Sequence, residues 1–224
     1  MRTRSDHTPP HEPEQIAQEF DEDACDFCDR YKRKGLSPSS KKLLHLILQK
    51  GLQGKTATDL GCGTGGFSIE LLKNGAENIV GFDLSSQMIE SANHLALSNN
   101  FDKRTKFQVG NAATVEIPHS DIIIMDKVLC CYSDWKPLLN NAITSDPSSI
   151  GFIVPRDEGV AKLPFRLGVR IANYFQKRKG RILFYLHPLN LVDRTLYDAG
   201  FSQRKKQRSR LWLVFLYSRP EPVS

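Results

Sequence analysis

The run Thr56-Ala57-Thr58-Asp59-Leu60-Gly61-Cys62-Gly63-Thr64-Gly65-Gly66-Phe67-Ser68-Ile69-Glu70-Leu71-Leu72 decides the fold. It reads as the end of a short buried strand, a glycine-packed turn and the first turns of a helix. Glycines at alternate positions, Gly61, Gly63 and Gly65, take every Cβ off one side of the turn, so the backbone can turn sharply and approach a ligand closely. The helix that follows aims its free N–H groups into the same space. Because Gly66 follows Gly65, the segment fits both Gly-x-Gly-x-Gly and the dinucleotide pattern Gly-x-Gly-x-x-Gly, and the loop alone does not choose between their ligands. Asp59 does choose. A carboxylate under the loop gives a pyrophosphate nothing, whereas it attracts a ligand carrying a sulfonium and an amino group.

Working outward, Ile79-Val80-Gly81-Phe82 is an apolar run suited to a strand buried on both faces, and it ends in Asp83. Asp83 stands 24 residues after Asp59, near the offset at which an acid meets a ribose in nucleotide-binding α/β folds. Ser85-Ser86 cap a helix from Gln87 to about Ser98 with Met88, Ile89, Ala92 and Leu95 inward. Thr105 to Val109 is a third strand, followed by Gly110-Asn111-Ala112, and Ile122-Ile123-Ile124-Met125-Asp126 is a fourth.

Asp59-Leu60-Gly61-Cys62-Gly63-Thr64-Gly65 and Ile79-Val80-Gly81-Phe82-Asp83-Leu84-Ser85 together resemble the first two motifs of the class I S-adenosylmethionine-dependent methyltransferases. The likeness runs from about Lys55 to Asp157 and continues by topology beyond it. Within the class, the loop and its helix are similar to the magnesium-protoporphyrin methyltransferase branch and to small bacterial methyltransferases. The resemblance implies an α/β fold, a doubly wound, mainly parallel seven-stranded sheet of the Rossmann-like methyltransferase kind, with an N-terminal helical arm and an inserted cap. It implies S-adenosyl-L-methionine as cofactor, held by Asp59, Gly61, Gly63, Gly65, Asp83, Leu84, Met88, Asn111, Ala112 and Asp126. The family usually has aspartate where Asn111 stands, for the adenine amino group; the asparagine carbonyl oxygen can still accept that bond.

A chain of 224 residues is expected to form one α/β domain, 14–218, with an arm and helix over 14–50 and a cap insertion over 162–187. Residues 1–13 and 219–224 read as tails, the first disordered. No apolar run reaches the roughly 20 residues of a membrane helix, and Met1 to Gln15 lacks a signal-peptide core. The expectation is a cytoplasmic protein without a membrane partner. Five cysteines, Cys25, Cys28, Cys62, Cys130 and Cys131, read as free thiols. Cys25-x-x-Cys28 has no second ligand pair at zinc-finger spacing, so no metal is expected. The net charge of +6 gathers in Lys177-Arg178-Lys179-Gly180-Arg181 and in Arg204-Lys205-Lys206-Gln207-Arg208-Ser209-Arg210. A helix end and an edge strand account for these without a ligand; RNA or an anionic substrate is the functional alternative.

Glu14 to Arg33 forms the helical arm, with Ile16, Phe20, Cys28 and Tyr31 as candidate buried positions, and the resemblance implies that Phe20 to Tyr31 close over the cofactor. The alternative is a helix that only covers the sheet. Ser39 or Ser40 caps the next helix, which runs through Lys50. Asp126 ends the fourth strand where ligands bind in such sheets, and reads as general base, substrate anchor or helix cap. Tyr132 is core or substrate contact. Arg156 emerges at the end of the fifth strand, either for an anionic acceptor or paired with Asp157. The insertion offers Arg166, Arg170, Asn173 and Tyr174 to a substrate, and His187 is a general base by its titration range or a structural histidine. Methyl transfer to a small-molecule acceptor is the expected function, with RNA methylation through the basic stretches and a non-catalytic S-adenosylmethionine-binding protein as rivals.

Overall fold

In a computed structural model of the chain, residues 13–159, 162–179 and 181–220 are described. The two apolar runs that end in acids become parallel strands on either side of the strand that leads into the glycine turn. The strand β1 (Ala57–Leu60) lies between β2 (Ile79–Asp83) and β4 (Ile122–Asp126), with Asp59 opposite both Gly81 and Ile124. Outside them come β3 (Thr105–Val109) on one side and β5 (Ser149–Pro155) on the other. The last strand, β7 (Trp212–Ser218), inserts antiparallel between β5 and β6 (Gln203–Ser209), giving the order β3-β2-β1-β4-β5-β7-β6. This is the mainly parallel, seven-stranded Rossmann-like sheet that the sequence implied.

Residues of β4 alternate between two cores because successive strand side chains point to opposite faces. Ile122 and Ile124 join the core under the helices α2 (Pro38–Lys50), α3 (Gly66–Lys73) and α4 (Ser86–Ser98). Ile123 and Met125 join the one under α5 (Lys136–Thr144) and α7 (Leu189–Asp198). The strand order reverses between the parallel neighbours β1 and β4, so the space beyond their C-terminal ends is the crevice where such sheets take ligands.

Several boundaries differ from the sequence reading, with identifiable causes. The cap of α2 is Ser37, whose Oγ accepts from Ser40 N–H at 3.3 Å, rather than Ser39 or Ser40. Pro38 at the first helical position is already set for the helix and starts it early, so Ser40 is buried inside the helix with its hydroxyl free to act elsewhere. The arm is α1 (Pro13–Lys34), but only Ile16 and Ala24 are buried. Phe20, Cys28 and Tyr31 are half-buried instead, and Phe20 and Tyr31 border a cavity. The insertion begins with α6 (Lys162–Arg178), and the apolar run after it, 181–188, forms neither strand nor helix. Asn173 holds that run as a strand neighbour would: its Nδ2 donates to Phe184 O at 2.8 Å and its Oδ1 accepts from Phe184 N–H at 3.0 Å.

Most of the expected disordered tail, residues 1–12, lies outside the described residues, as do 221–224. The cations of edge strand β6 are largely paired within the chain. Arg204 meets Asp193 at 2.6 Å, while Lys206 and Arg208 both reach Glu158.

Candidate functional site

Beyond the C-terminal ends of β1, β2 and β4 lies a cavity of about 720 Å³, in the size range of small-molecule sites. The glycine turn forms its floor. All three alternate glycines have positive φ, 71° at Gly61, 53° at Gly63 and 76° at Gly65, which an L side chain adopts only with strain. They differ in what a side chain would meet. A Cβ at Gly61 would collide with Val128, and one at Gly65 would lie 3.0 Å from Ala92 Cβ and 3.2 Å from Phe107 Cζ. At Gly63 the nearest atom would be Met88 Sδ, 4.0 Å away. Two glycines therefore allow close packing, and Gly63 is where the backbone faces open cavity.

Three carboxyl groups converge on this floor. Asp83 fixes the turn: its Oδ2 accepts from Gly63 N–H at 2.8 Å and its Oδ1 from Ser85 N–H at 3.0 Å. Burial raises its pKa, and those backbone donors work against the rise. An ionised carboxylate has about four acceptor sites, so Asp83 keeps capacity for a ligand's hydroxyls. Asp59 is 1% exposed and accepts from Ser68 Oγ at 2.7 Å. Burial pushes its carboxyl up from 3.8 to about 7, and the negative charges of Asp126 and Asp83 add to that. Asp126 borders the cavity with both oxygens engaged, Oδ2 by the Ser40 hydroxyl and Oδ1 by Lys127 Nζ at 2.8 Å. Lys127, at φ 66°, also donates to Ser37 Oγ and Ser40 Oγ at 3.1 Å each. The early start of α2 thus supplies the hydroxyls that hold the end of β4.

The arm and the insertion make the opposite walls. Ile16, Phe20, Phe27, Arg30 and Tyr31 of α1, Trp212 of β7, and Gln176 with residues 181–184 line the cavity. Tyr31 lies flat over the start of α3, where a Cβ on Gly66 would be 2.7 Å from its Cδ2, and its hydroxyl donates to Glu70 at 2.8 Å. Asp21 accepts from Ser85 Oγ and, at 3.1 Å, from Gln87 N–H, tying α1 to the start of α4. Glu19 accepts from Ile182 N–H, so arm and insertion are joined across the cavity.

Of the residues singled out in the sequence, Asp59, Gly61, Gly63, Asp83, Leu84, Met88, Ala112, Asp126 and Tyr132 line the cavity together. Gly65, Asn111, Arg156, Arg170, Tyr174 and His187 are not among its lining residues. Asn111 Oδ1 already accepts from Tyr132 Oη and Ala113 N–H, each at 3.0 Å. Asp157 pairs with Arg166 through both oxygens, at 2.8 and 2.6 Å, rather than with Arg156. Arg156 Nε is buried without a hydrogen-bond partner, for which the fold gives no account. Arg170 and Tyr174 are on the exposed side of α6, and Arg178 stacks on Tyr174 at 4.7 Å. His187 donates from Nε2 to Leu129 O at 2.8 Å, packs on Tyr185, and borders a separate void of about 10 Å³, which at most holds one water. Burial lowers its pKa. Among the described residues no group of three or more His, Cys, Asp or Glu side chains is placed so that it could hold a metal ion.

Sequence reasoning missed Ser37, Ser40 and Lys127 around Asp126, and Asn173 as the clamp on Phe184. Nothing local signals such partners, which lie up to 90 residues apart. The signal for the arm was present: Ile16, Phe20, Phe27 and Tyr31 recur at helical spacing on one face.

A family model described as a methyltransferase domain matches residues 52–166, just over half of the chain. An uncharacterized protein of Haemophilus influenzae is 31% identical over 143 residues, which cover 60% of this chain and 56% of that one. A ribosomal protein L11 methyltransferase of Tolumonas auensis is 38% identical over 65 residues, 29% of this chain and 22% of that protein. The chain thus spans between about a fifth and just over half the length of these curated relatives. Among solved structures, magnesium protoporphyrin IX methyltransferase from Synechocystis with bound S-adenosylhomocysteine superposes with a TM-score of 0.71 at 18% identity. That match covers 93% of this chain and all of the other, a likeness of fold.

Proposed function

The chain belongs to the methyltransferase domain family, within the class I S-adenosylmethionine-dependent superfamily, and on that premise we propose that it transfers the sulfonium methyl of S-adenosylmethionine to a small-molecule acceptor. The observation that carries the reading is the make-up of the one 720 Å³ cavity. Its floor is acidic and glycine-lined; its walls are aromatic with cations. The floor fits the cofactor's chemistry: a side chain at Gly63 would occupy the open space, and Asp59 is buried beside two other carboxylates with a charge that a cationic ligand would balance. In this reading Asp83 accepts from ribose hydroxyls, Asp59 faces the cationic amino-acid end, and Leu84, Met88 and Ala112 pack on the apolar parts. When bound, the cofactor supplies an electrophilic methyl group.

The chain's part in catalysis is positioning, which can be worth roughly 7–11 kcal/mol when two reactants are held in line. Phe20, Phe27, Trp212 and residues 182–184 exclude water and present an apolar wall, while Arg30 and Arg181 suit an anionic group on the acceptor. Asp126, held between Ser40 and Lys127, orients the wall next to the glycine turn. Tyr132, whose pKa burial raises, stays protonated and donates to Asn111. Pairing of Arg204, Lys206 and Arg208 within the chain supports the small-molecule acceptor over RNA. The arm and the 162–187 insertion act here as lid and cap of one domain over 14–218.

Calorimetric titration with S-adenosylmethionine, S-adenosylhomocysteine and NAD tests the donor. Binding of the first two and not of NAD is expected, and Asp83→Ala should abolish it. Unchanged affinity in that variant would sink the assignment of the site.

A further inference from the structure

Helix α6 turns outward a face that neither the core nor the cavity uses. Its half-buried positions, Phe165, Val169, Asn173 and Gln176, recur every three or four residues and face the protein. Leu163, Leu167, Ile171, Tyr174 and Phe175 recur at i, i+4, i+8, i+11 and i+12 on the opposite side. They are 78%, 59%, 51%, 54% and 56% exposed, and no residue of α6 is fully buried. A single exposed leucine is ordinary, whereas five large apolar side chains along one stripe mark a surface that is covered by something.

Charge identifies the covering. From Lys162 to His187 the sequence has seven Lys and Arg and no Asp or Glu. The chain's formal charge is +6, so with those seven set aside the rest has a charge of −1: the whole positive excess belongs to this segment. Lys162, Arg170 and Lys177 flank the stripe on one side, with Arg166 on the same side paired to Asp157, and Arg178 sits over the Tyr174 ring.

We propose that α6 is a membrane-surface helix, lying in the plane of a bilayer that contains anionic lipid, with the stripe among the acyl chains and the flanking cations at the headgroups. With 17 residues it lies on the bilayer and does not cross it, and no helix among the described residues is long and apolar enough to do so. This departs from the sequence-based expectation of no membrane partner, which was argued from the lack of a spanning segment and a signal-peptide core, and neither bears on a surface helix. A nucleic acid would use the cations and leave the stripe in water; a second copy of the chain would bring like charges together. Gln176 and the run after α6 line the cavity, so docking sets the capped wall of that cavity at the lipid surface. The proposal stands independently of the methyl-transfer reading.

The test is flotation of the full chain with vesicles of phosphatidylcholine alone and of phosphatidylcholine with phosphatidylglycerol, over a salt series. Binding to the anionic vesicles, reduced by salt, is expected. Leu167→Glu with Ile171→Glu should abolish it. Lys162→Glu with Lys177→Glu should weaken it at least about 25-fold, from about fivefold per cation. All four side chains are exposed, so circular dichroism and melting should be unchanged. Equal binding to both vesicle types, or indifference to the Leu167 and Ile171 changes, would overturn the proposal. So would absence of binding to the anionic vesicles; a concentration-dependent dimer or retention on a single-stranded RNA oligonucleotide would then identify what covers the stripe instead.

Discussion

Replacing Asp59 with asparagine should stabilise the ligand-free protein above neutral pH while weakening its hold on a cationic ligand. Asp59 is 1% exposed and its carboxyl is pushed up from 3.8 to about 7, mainly by burial. Between those two values the folded protein keeps the proton and the unfolded chain releases it. The stability from Asp59 is therefore fully present below about pH 4 and is lost as pH rises through about 7. The shift corresponds to about 4 kcal/mol at roughly 1.4 kcal/mol per pH unit. Asparagine keeps the shape and an acceptor oxygen for the Ser68 hydroxyl, and does not titrate. The variant's advantage in urea unfolding should widen by about 2–3 kcal/mol between pH 5 and pH 8. A gap that is constant with pH, or a wild type that is the more stable at pH 8, would refute the reasoning. Bound S-adenosylmethionine should draw the wild-type carboxyl back toward its ionised form. Its affinity should then rise with pH up to about 7 and stay flat in the variant, as calorimetry across the same range can show.

Further outcomes follow from the lid and the cap. In Gly66→Ala the added methyl would stand 2.7 Å from Tyr31 Cδ2, so α1 should lift, with faster amide exchange over 16–31 and weaker cofactor binding; adding Tyr31→Ala should restore most of the affinity, and no restoration would show that the arm is not the cause. Asn173→Ala removes both bonds to Phe184 and should raise the acceptor KM several-fold with cofactor affinity unchanged, whereas an equal loss of both would place Asn173 in general stability. Gly61→Ala combines a collision with Val128 and a φ of 71°, and should cost about 2–3 kcal/mol in thermal unfolding; a melting point like the wild type's would remove the packing role given to that glycine.

The sheet was legible because its signals are local. Apolar runs of four residues ending in Asp83 and Asp126, and the short stretch before the glycine turn that carries Asp59, separated by helical periodicity, point to parallel strands with those acids at one end. The 162–187 insertion was legible only as extra chain: its run 181–188 has the composition of a strand, yet it joins no strand of the sheet, and Asn173 takes the place of a neighbouring strand. Equally invisible was the division of labour among the three glycines, since Val128, Ala92 and Phe107 approach them from other elements.

By itself the sequence determined the α/β fold, the direction of the glycine turn and the acids that meet it, because strand periodicity, positive φ and strand-end position are properties of a few consecutive residues. Only the tertiary structure decided which polar groups are free to act. It gave Asp126 to Ser40 and Lys127, Asn111 to Tyr132, Asp157 to Arg166, and His187 to a backbone carbonyl outside the cavity. A buried polar atom must find a partner wherever packing supplies one, and packing brings together residues that no spacing in the chain connects.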